Sequence, residues 1–281
     1  MFKAFLLTTF ALTAFAFNSI LCRLALGTEA IDASSFTAIR LFSGAITLLI
    51  ILSVSSKNKT DDLKRGNWLS AFFLFGYAIC FSFAYIGLTT ATGALILFGM
   101  VQATMIVSAI IQGERPNLFE WFGLVLALAG LVYLVFPGLE SPPFLSSVLM
   151  ALAGIAWGFY TLRGKGSENP LADTAGNFFR AIPFVILASL PFIYKIDLSP
   201  KGILFAVLSG AIASGIGYSV WYAALKYHTA TRAAILQLAV PVIAAVGALA
   251  LLSEIISMRL VVASGLILGG ISLVIFVKKN P

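Results

Sequence analysis

Apolar residues fill this chain in about ten blocks of roughly 20, each closed by a short polar break. An α-helix rises 1.5 Å per residue, so roughly 20 apolar residues cross about 30 Å of hydrocarbon. The blocks predict helices over 3–23, 34–54, 68–88, 92–112, 118–136, 144–162, 174–194, 202–224, 231–252 and 258–277. No break is long enough to be a linker between independent domains. The seam Gly138-Leu139-Glu140-Ser141-Pro142-Pro143 carries prolines that stop one helix and stiffen the entry to the next.

The polar positions repeat at one offset. Adding 140 to Arg23, Arg40, Glu114 and Gly130 gives Arg163, Arg180, Glu254 and Gly270, and the apolar run ending at Phe136 answers the one ending at Phe276. Only about a tenth of the residues are charged, so such matches are not expected by accident. The chain reads as two units, residues 1–138 and 139–281. Five spans per unit is an odd number, so the second unit enters the membrane from the opposite side. Inverted repeats suit alternating access, with a substrate site between the units near the bilayer midplane. Duplication retained for stability alone is the alternative.

Composition names the solvent. At 60% hydrophobic residues, the 281-residue chain has too little polar surface to coat a water-soluble globule. The expected fold is an all-α integral membrane protein of ten transmembrane helices, built from two inverted five-helix repeats around a central cavity, with the lipid bilayer as its first partner. Lys3, an apolar run and Ala14-Phe15-Ala16 imitate a cleavable secretory signal. The segment ending at Arg23 has a counterpart ending at Arg163, deep inside the chain, so a mature first helix is expected. With the N-terminus in the cytoplasm, Lys3, Lys57, Lys59, Lys64, Arg65, Arg115, Arg163, Lys165, Lys226, Arg232, Lys278 and Lys279 fall inside, and Arg23, Lys195, Lys201 and Arg259 outside. Both termini are therefore expected in the cytoplasm. Basic residues scattered over membrane-edge loops, not gathered on one face, account for the net charge of +7 without nucleic acid.

Arg40 and Arg180 near the starts of helices 2 and 7, the turns Thr90-Ala91-Thr92 and Thr229-Ala230-Thr231, Gly113-Glu114 and Ser253-Glu254, and Gly130 with Gly270 resemble the EamA-type units of the drug/metabolite transporter superfamily. The resemblance covers essentially the whole chain, and its finer likeness is to the YddG-like aromatic amino-acid exporters. It implies ten helices around a central cavity, cytoplasmic termini, a bacterial inner membrane and export of small metabolites. It also makes Arg40, Arg180, Glu114 and Glu254 structural anchors, the arginines pairing with helix-end carbonyls. The family usually has a proline inside helices 4 and 9. Pro241 matches, whereas Gln102 stands at the equivalent place in the first unit (102 + 139 = 241).

Polar and aromatic residues at depth supply the candidate site. An unpartnered amide in hydrocarbon costs several kcal/mol, so Gln102, Gln237 and Asn18 are expected to face protein or a wet cavity. An interhelical hydrogen bond is the alternative for each. Tyr77, Phe81 and Tyr85 recur every four residues on one face of helix 3, and Tyr218, Trp221 and Tyr222 form a similar face on helix 8. Phe17 corresponds to Trp157 at the offset of 140, and Phe98 and Tyr160 complete the expected cavity lining. Such rings stack on flat ligands or simply pack. Gly215, Gly217 and Pro241 are candidate hinges or kinks. Gly265 and Gly269 form a GxxxG face, with Gly210 and Ser214 as its small-residue analogue, and tight helix contact is expected there.

Arg40 and Arg180 lie near enough to the interface to snorkel. Every Asp and Glu falls near a helix end or in a loop, which favours a facilitator or weakly coupled exporter over a proton-coupled antiporter. His228 is expected in a solvated turn. One histidine, Cys22 and Cys80 without CxxC spacing, and no deep acid pair give an enzyme little to work with, and no cofactor or metal is expected. A small-molecule substrate, an amino acid or related metabolite, and a monomeric protein complete the reading.

Overall fold

Hydrocarbon offers no partner for an open N–H or C=O, so an apolar chain closes its hydrogen bonds within each segment. The computed structural model describes residues 2–55, 62, 64–111, 118–136, 138, 141–228 and 236–276. Among them, ten apolar helices carry the fold: α1 (Phe2–Leu26), α2 (Ala33–Ser55), α3 (Trp68–Ala84), α4 (Thr90–Ile111), α5 (Leu118–Val135), α6 (Phe144–Gly164), α7 (Pro170–Ser189), α8 (Pro200–Leu225), α9 (Ala239–Leu252) and α10 (Met258–Phe276). Six apolar helical stretches are long enough to cross a membrane by length and composition, and four shorter apolar helices accompany them. Ile50, Val54, Val132, Leu187 and Val246 point outward, a surface suited to lipid. Glu114, the Thr229-Ala230-Thr231 turn, Lys57, Lys59, Arg115, Arg232, Lys278 and Lys279 lie outside the described residues.

Caps set several helix starts. Asn67 Oδ1 accepts the Ser70 N–H at 2.8 Å, Asn169 Oδ1 the Ala172 N–H at 3.3 Å, and Ser199 Oγ the Gly202 N–H at 3.0 Å. Pro170 and Pro200 follow two of these caps, so α7 and α8 begin upstream of the points that hydropathy predicts.

Packing runs mainly between the halves. α1 lies against α8 and α9, α2 against α7 and α8, α3 against α6 and α7, α4 against α6 and α9, and α5 against α10. Exchanging each helix for the one five places away maps this set of pairs onto itself. The turns follow the same rule. The α1–α2 turn bonds the α7–α8 turn through Asp32 N–H to the Asp197 carbonyl (3.1 Å) and Ser199 Oγ to the Ala30 carbonyl (2.6 Å). The α2–α3 turn meets the α6–α7 turn through Asn169 Nδ2 to Asp62 Oδ1 (3.0 Å) and Arg65 to Asp173 at the start of α7 (2.9 Å). The bond to Asp173 holds the Arg65 guanidinium above its ordinary pKa.

The repeat-matched glycines make the α5–α10 crossing. A Cβ on Gly130 would meet Leu266 at 2.8 Å, and one on Gly270 would meet the Gly123 carbonyl at 2.5 Å. The GxxxG expectation is corrected here, because a Cβ on Gly265 or Gly269 would meet no described neighbour within 4 Å beyond the helix's own backbone. Gly270 lies on a different face of the helix from that pair, and its face is the one turned to α5.

Candidate substrate site

α1, α3, α4, α6 and α8 converge on a cavity of about 10 Å³, room for about one water molecule. Phe15 and Asn18 line it from α1, Tyr77 and Phe81 from α3, and Leu97 and Phe98 from α4; Trp157 of α6 and Tyr218 of α8 complete it. The rings pack on one another. Trp157 lies 4.5 Å from Tyr218 and 4.9 Å from Tyr77 between centroids, and Phe15 stands edge-on to Trp157 at 5.7 Å. These are the separations at which aromatic pairs attract, so the closed wall is stable without a ligand.

One wall of this cavity is backed by a buried cation. Arg40 is 1% exposed. Its Nη2 donates to the hydroxyls of Tyr77 at 3.0 Å and Tyr218 at 2.8 Å, and its Nε to Ser214 Oγ at 3.1 Å. Its guanidinium carbon lies 5.0 Å from the Phe81 ring centre and 5.1 Å from that of Tyr77. Asn18 extends the network, donating to Tyr77 at 3.1 Å and accepting from Ser209 Oγ at 2.6 Å. Ser209 and Ser214 both belong to a π-helical stretch of α8, Ser209–Ile216, whose i→i+5 bonding brings residues five apart into near alignment.

Snorkelling of Arg40 is thus corrected, and its flanking residues explain why. Arg180, its repeat counterpart, donates to the carbonyls of Arg65 (2.6 Å), Lys64 (2.9 Å) and Gly176 (3.0 Å), as an anchor on turn backbone. Gly176, one turn before Arg180, lets that turn approach, since a Cβ there would collide with the Arg65 carbonyl. The matching residue one turn before Arg40 is Phe36 (176 − 140 = 36), a fully buried ring that occupies this space. On the far side the order reverses: Gly44 follows Arg40 where Phe184 follows Arg180 (44 + 140 = 184). Gly44 lies against Phe178 and the Gly210 carbonyl, and a Cβ on Gly210 would strike the Arg40 carbonyl, so α2 and α8 meet closely beside Arg40. Bulk on the turn side and room on the deep side send the Arg40 guanidinium inward.

The cavity brings together Asn18, Tyr77, Phe81, Phe98, Trp157 and Tyr218 from the sequence-predicted lining. Phe17 is corrected: it is 46% exposed, and Phe15 takes its place at 5%. Two residues along a helix turn a side chain through about 200°, and the face shared by Asn18 passes through residue 15. Tyr85 is buried away from the cavity, its hydroxyl donating to the Thr90 carbonyl at 3.3 Å. Tyr222 bonds the Tyr160 carbonyl at 3.2 Å, and the Tyr160 ring backs Trp157 at 5.5 Å. Gln102 is buried one turn beyond Phe98 on α4. Gln237 is fully buried, and neither amide atom has a hydrogen-bond partner among the described residues. It precedes a break in the helix at Leu238, and Pro241 supplies no N–H for the Gln237 carbonyl. Gly215 and Gly217 flank the end of the π-helical stretch.

Glu254 accepts from the Thr90 N–H at 2.8 Å and ion-pairs with Arg23 at 3.4 Å, tying the end of α9 to the start of α4 and the end of α1. Its counterpart Glu114 lies outside the described residues. His228 is not a purely solvated residue, since its Nε2 is 2.8 Å from Thr8 Oγ1 of α1. Sequence reasoning missed Phe15, Leu97, Ser209, Ser214 and the inward role of Arg40. The exchanged Phe and Gly positions around the two arginines were the available signal.

A family model for EamA-like transporters matches residues 2–136 and again residues 145–276, once on each half. The chain belongs to the EamA-like transporter family. An uncharacterized protein of Pseudomonas aeruginosa is 48% identical over 273 residues, covering 97% of this chain and 94% of its own. An uncharacterized transporter of Archaeoglobus fulgidus is 26% identical over 83% of this chain and 86% of its own, and the uncharacterized transporter YoaV of Bacillus subtilis is 23% identical over 84% and 85%. A crystal structure at 20% identity superposes over 97% of both chains with a TM-score of 0.67, a likeness of fold alone. This EamA-family chain is a multi-pass integral membrane protein and, by family, a transporter.

Proposed function

We propose that this EamA-family protein is an inner-membrane exporter or facilitator of small metabolites, chiefly amino acids including aromatic ones, working by alternating access. The carrying observation is the aromatic cavity, walled by helices of both halves and closed around the space of about one water. Helix pairs that map onto one another when the halves are exchanged support two inverted units that can rock about such a site. Aromatic side chains would enter among Phe15, Trp157 and Tyr218 by displacing ring–ring contacts for equivalent ones with the ligand. Of the described carboxylates, Glu254 caps α4 and Asp173 pairs with Arg65, which supports flux down the solute's own gradient.

Counterflow in proteoliposomes tests this reading, with labelled tryptophan, phenylalanine, threonine and a cationic dye, each with and without a pH gradient. Counterflow of the aromatic amino acids, unchanged by the gradient, is expected. Absence of counterflow for every amino acid would overturn the substrate class, and strict dependence on the gradient would overturn uncoupled transport.

A further inference from the structure

Proton counting around Arg40 leaves donors without acceptors. Arg40 Nη2 reaches both phenol oxygens, and Asn18 Nδ2 also donates to Tyr77. The two oxygens stand 3.2 Å apart, so one hydroxyl proton lies between them and the other finds no acceptor among the described residues. Arg40 Nη1 and Trp157 Nε1 are also buried with no hydrogen-bond partner among the described residues. Neither ion pair among the described residues involves Arg40. A buried cation without a counter-ion is expensive, and the groups around Arg40 are hydroxyls and an amide, with no ionised acceptor-only group among the described residues. Arg180 finds its acceptors in turn carbonyls, a solution that Phe36 closes to Arg40.

We infer that Arg40, with the hydroxyls of Tyr77 and Tyr218, anchors the carboxylate of the transported solute, so that the substrates are amino acids or organic acids with a free carboxylate. The inference rests on the proposed transport through this cavity. A carboxylate is flat and acceptor-only when ionised, and it brings the missing negative charge. One oxygen takes the free Nη1–H and the other the spare phenol proton, an arrangement of charge-assisted hydrogen bonds. The rings of Phe81 and Tyr77 beside the guanidinium exclude water from the pair, which strengthens it.

Calorimetric titration of the purified full chain in detergent, using phenylalanine, phenylpyruvate, phenylalaninamide, phenethylamine and alanine, tests this. The two aromatic carboxylates are expected to bind about tenfold to a hundredfold more tightly than the amide and the amine, the scale of hydrogen bonds to a charged group. Arg40→Gln removes that difference, and Arg40→Lys retains part of it. An amide or amine that binds wild-type protein within about twofold of phenylalanine overturns the carboxylate anchor while leaving the aromatic reading intact. Alanine binding as tightly as phenylalanine overturns the aromatic reading and leaves the anchor. Absence of heat for all five probes overturns both.

Discussion

Arg40 and Arg180 occupy the same place in the two repeats, yet Arg180 is held by carbonyls of the α2–α3 turn and of α7, whereas Arg40 is held by side-chain hydroxyls at the cavity. The repeat supplies the residue, and the exchanged pair of Phe and Gly around it supplies the direction. A duplicated scaffold can in this way hold one arginine on turn backbone and turn the other toward a buried cavity.

Arg180→Gln should therefore act on stability. Losing its bonds to three carbonyls is expected to lower unfolding stability by about 1.5–3 kcal/mol, read as the thermal melt of purified protein in detergent. The KM for transported solute should stay unchanged, because no part of Arg180 touches the cavity. A raised KM with an unchanged melt would reverse the roles assigned to the two arginines.

Gly210 and Gly269 should respond in opposite ways to a methyl group. Gly210→Ala drives a Cβ into the Arg40 carbonyl and Ser43, and destabilisation by about 1–3 kcal/mol is expected. Gly269→Ala has open space and a better helix former, so its melt should be unchanged or higher by up to about 1 kcal/mol. Melting curves of the two variants decide the matter.

The Glu254 carboxylate stands at the N-terminus of α4 and beside Arg23. Glu254→Ala removes a capping acceptor and a charge that favours the helix dipole, and a loss of about 1–2 kcal/mol is expected. A cysteine at residue 92, in the first turn of α4, should at the same time become more reactive to a membrane-impermeant thiol reagent. Unchanged reactivity and melt would mean that this contact holds nothing in place.

Orientation has its own test. A cysteine replacing Asn58, between α2 and α3, should be labelled only from the cytoplasmic side. Labelling from outside would reverse the expected topology, and with it the sidedness of export.

Much of this was legible in the sequence, and the physical reason is lipid. Ten apolar blocks had to become helices, because hydrocarbon leaves backbone groups no other partner. Side-chain direction was less legible. Phe17 matched Trp157 by offset, but rotation about the α1 axis sends Phe17 outward and Phe15 inward. Gly265 and Gly269 carried a packing motif, yet Gly270 faces α5. Arg40 read as an interfacial anchor, since depth in a helix is estimated by counting residues, whereas the bulk of Phe36 decides which way the guanidinium turns. Offsets report common ancestry of position, and the faces of the helices decide use.

The most direct measurement compares counterflow of labelled phenylalanine in proteoliposomes holding equal amounts of folded wild type, Phe15→Ala and Phe17→Ala. Truncating a ring that walls the site removes burial and ring contacts together worth about 1.4 kcal/mol or more, about tenfold in affinity. Phe15→Ala should raise KM by about that factor or more, and Phe17→Ala should match wild type. Two variants that behave alike, or wild type no faster than protein-free liposomes, would contradict a substrate path through this aromatic cavity.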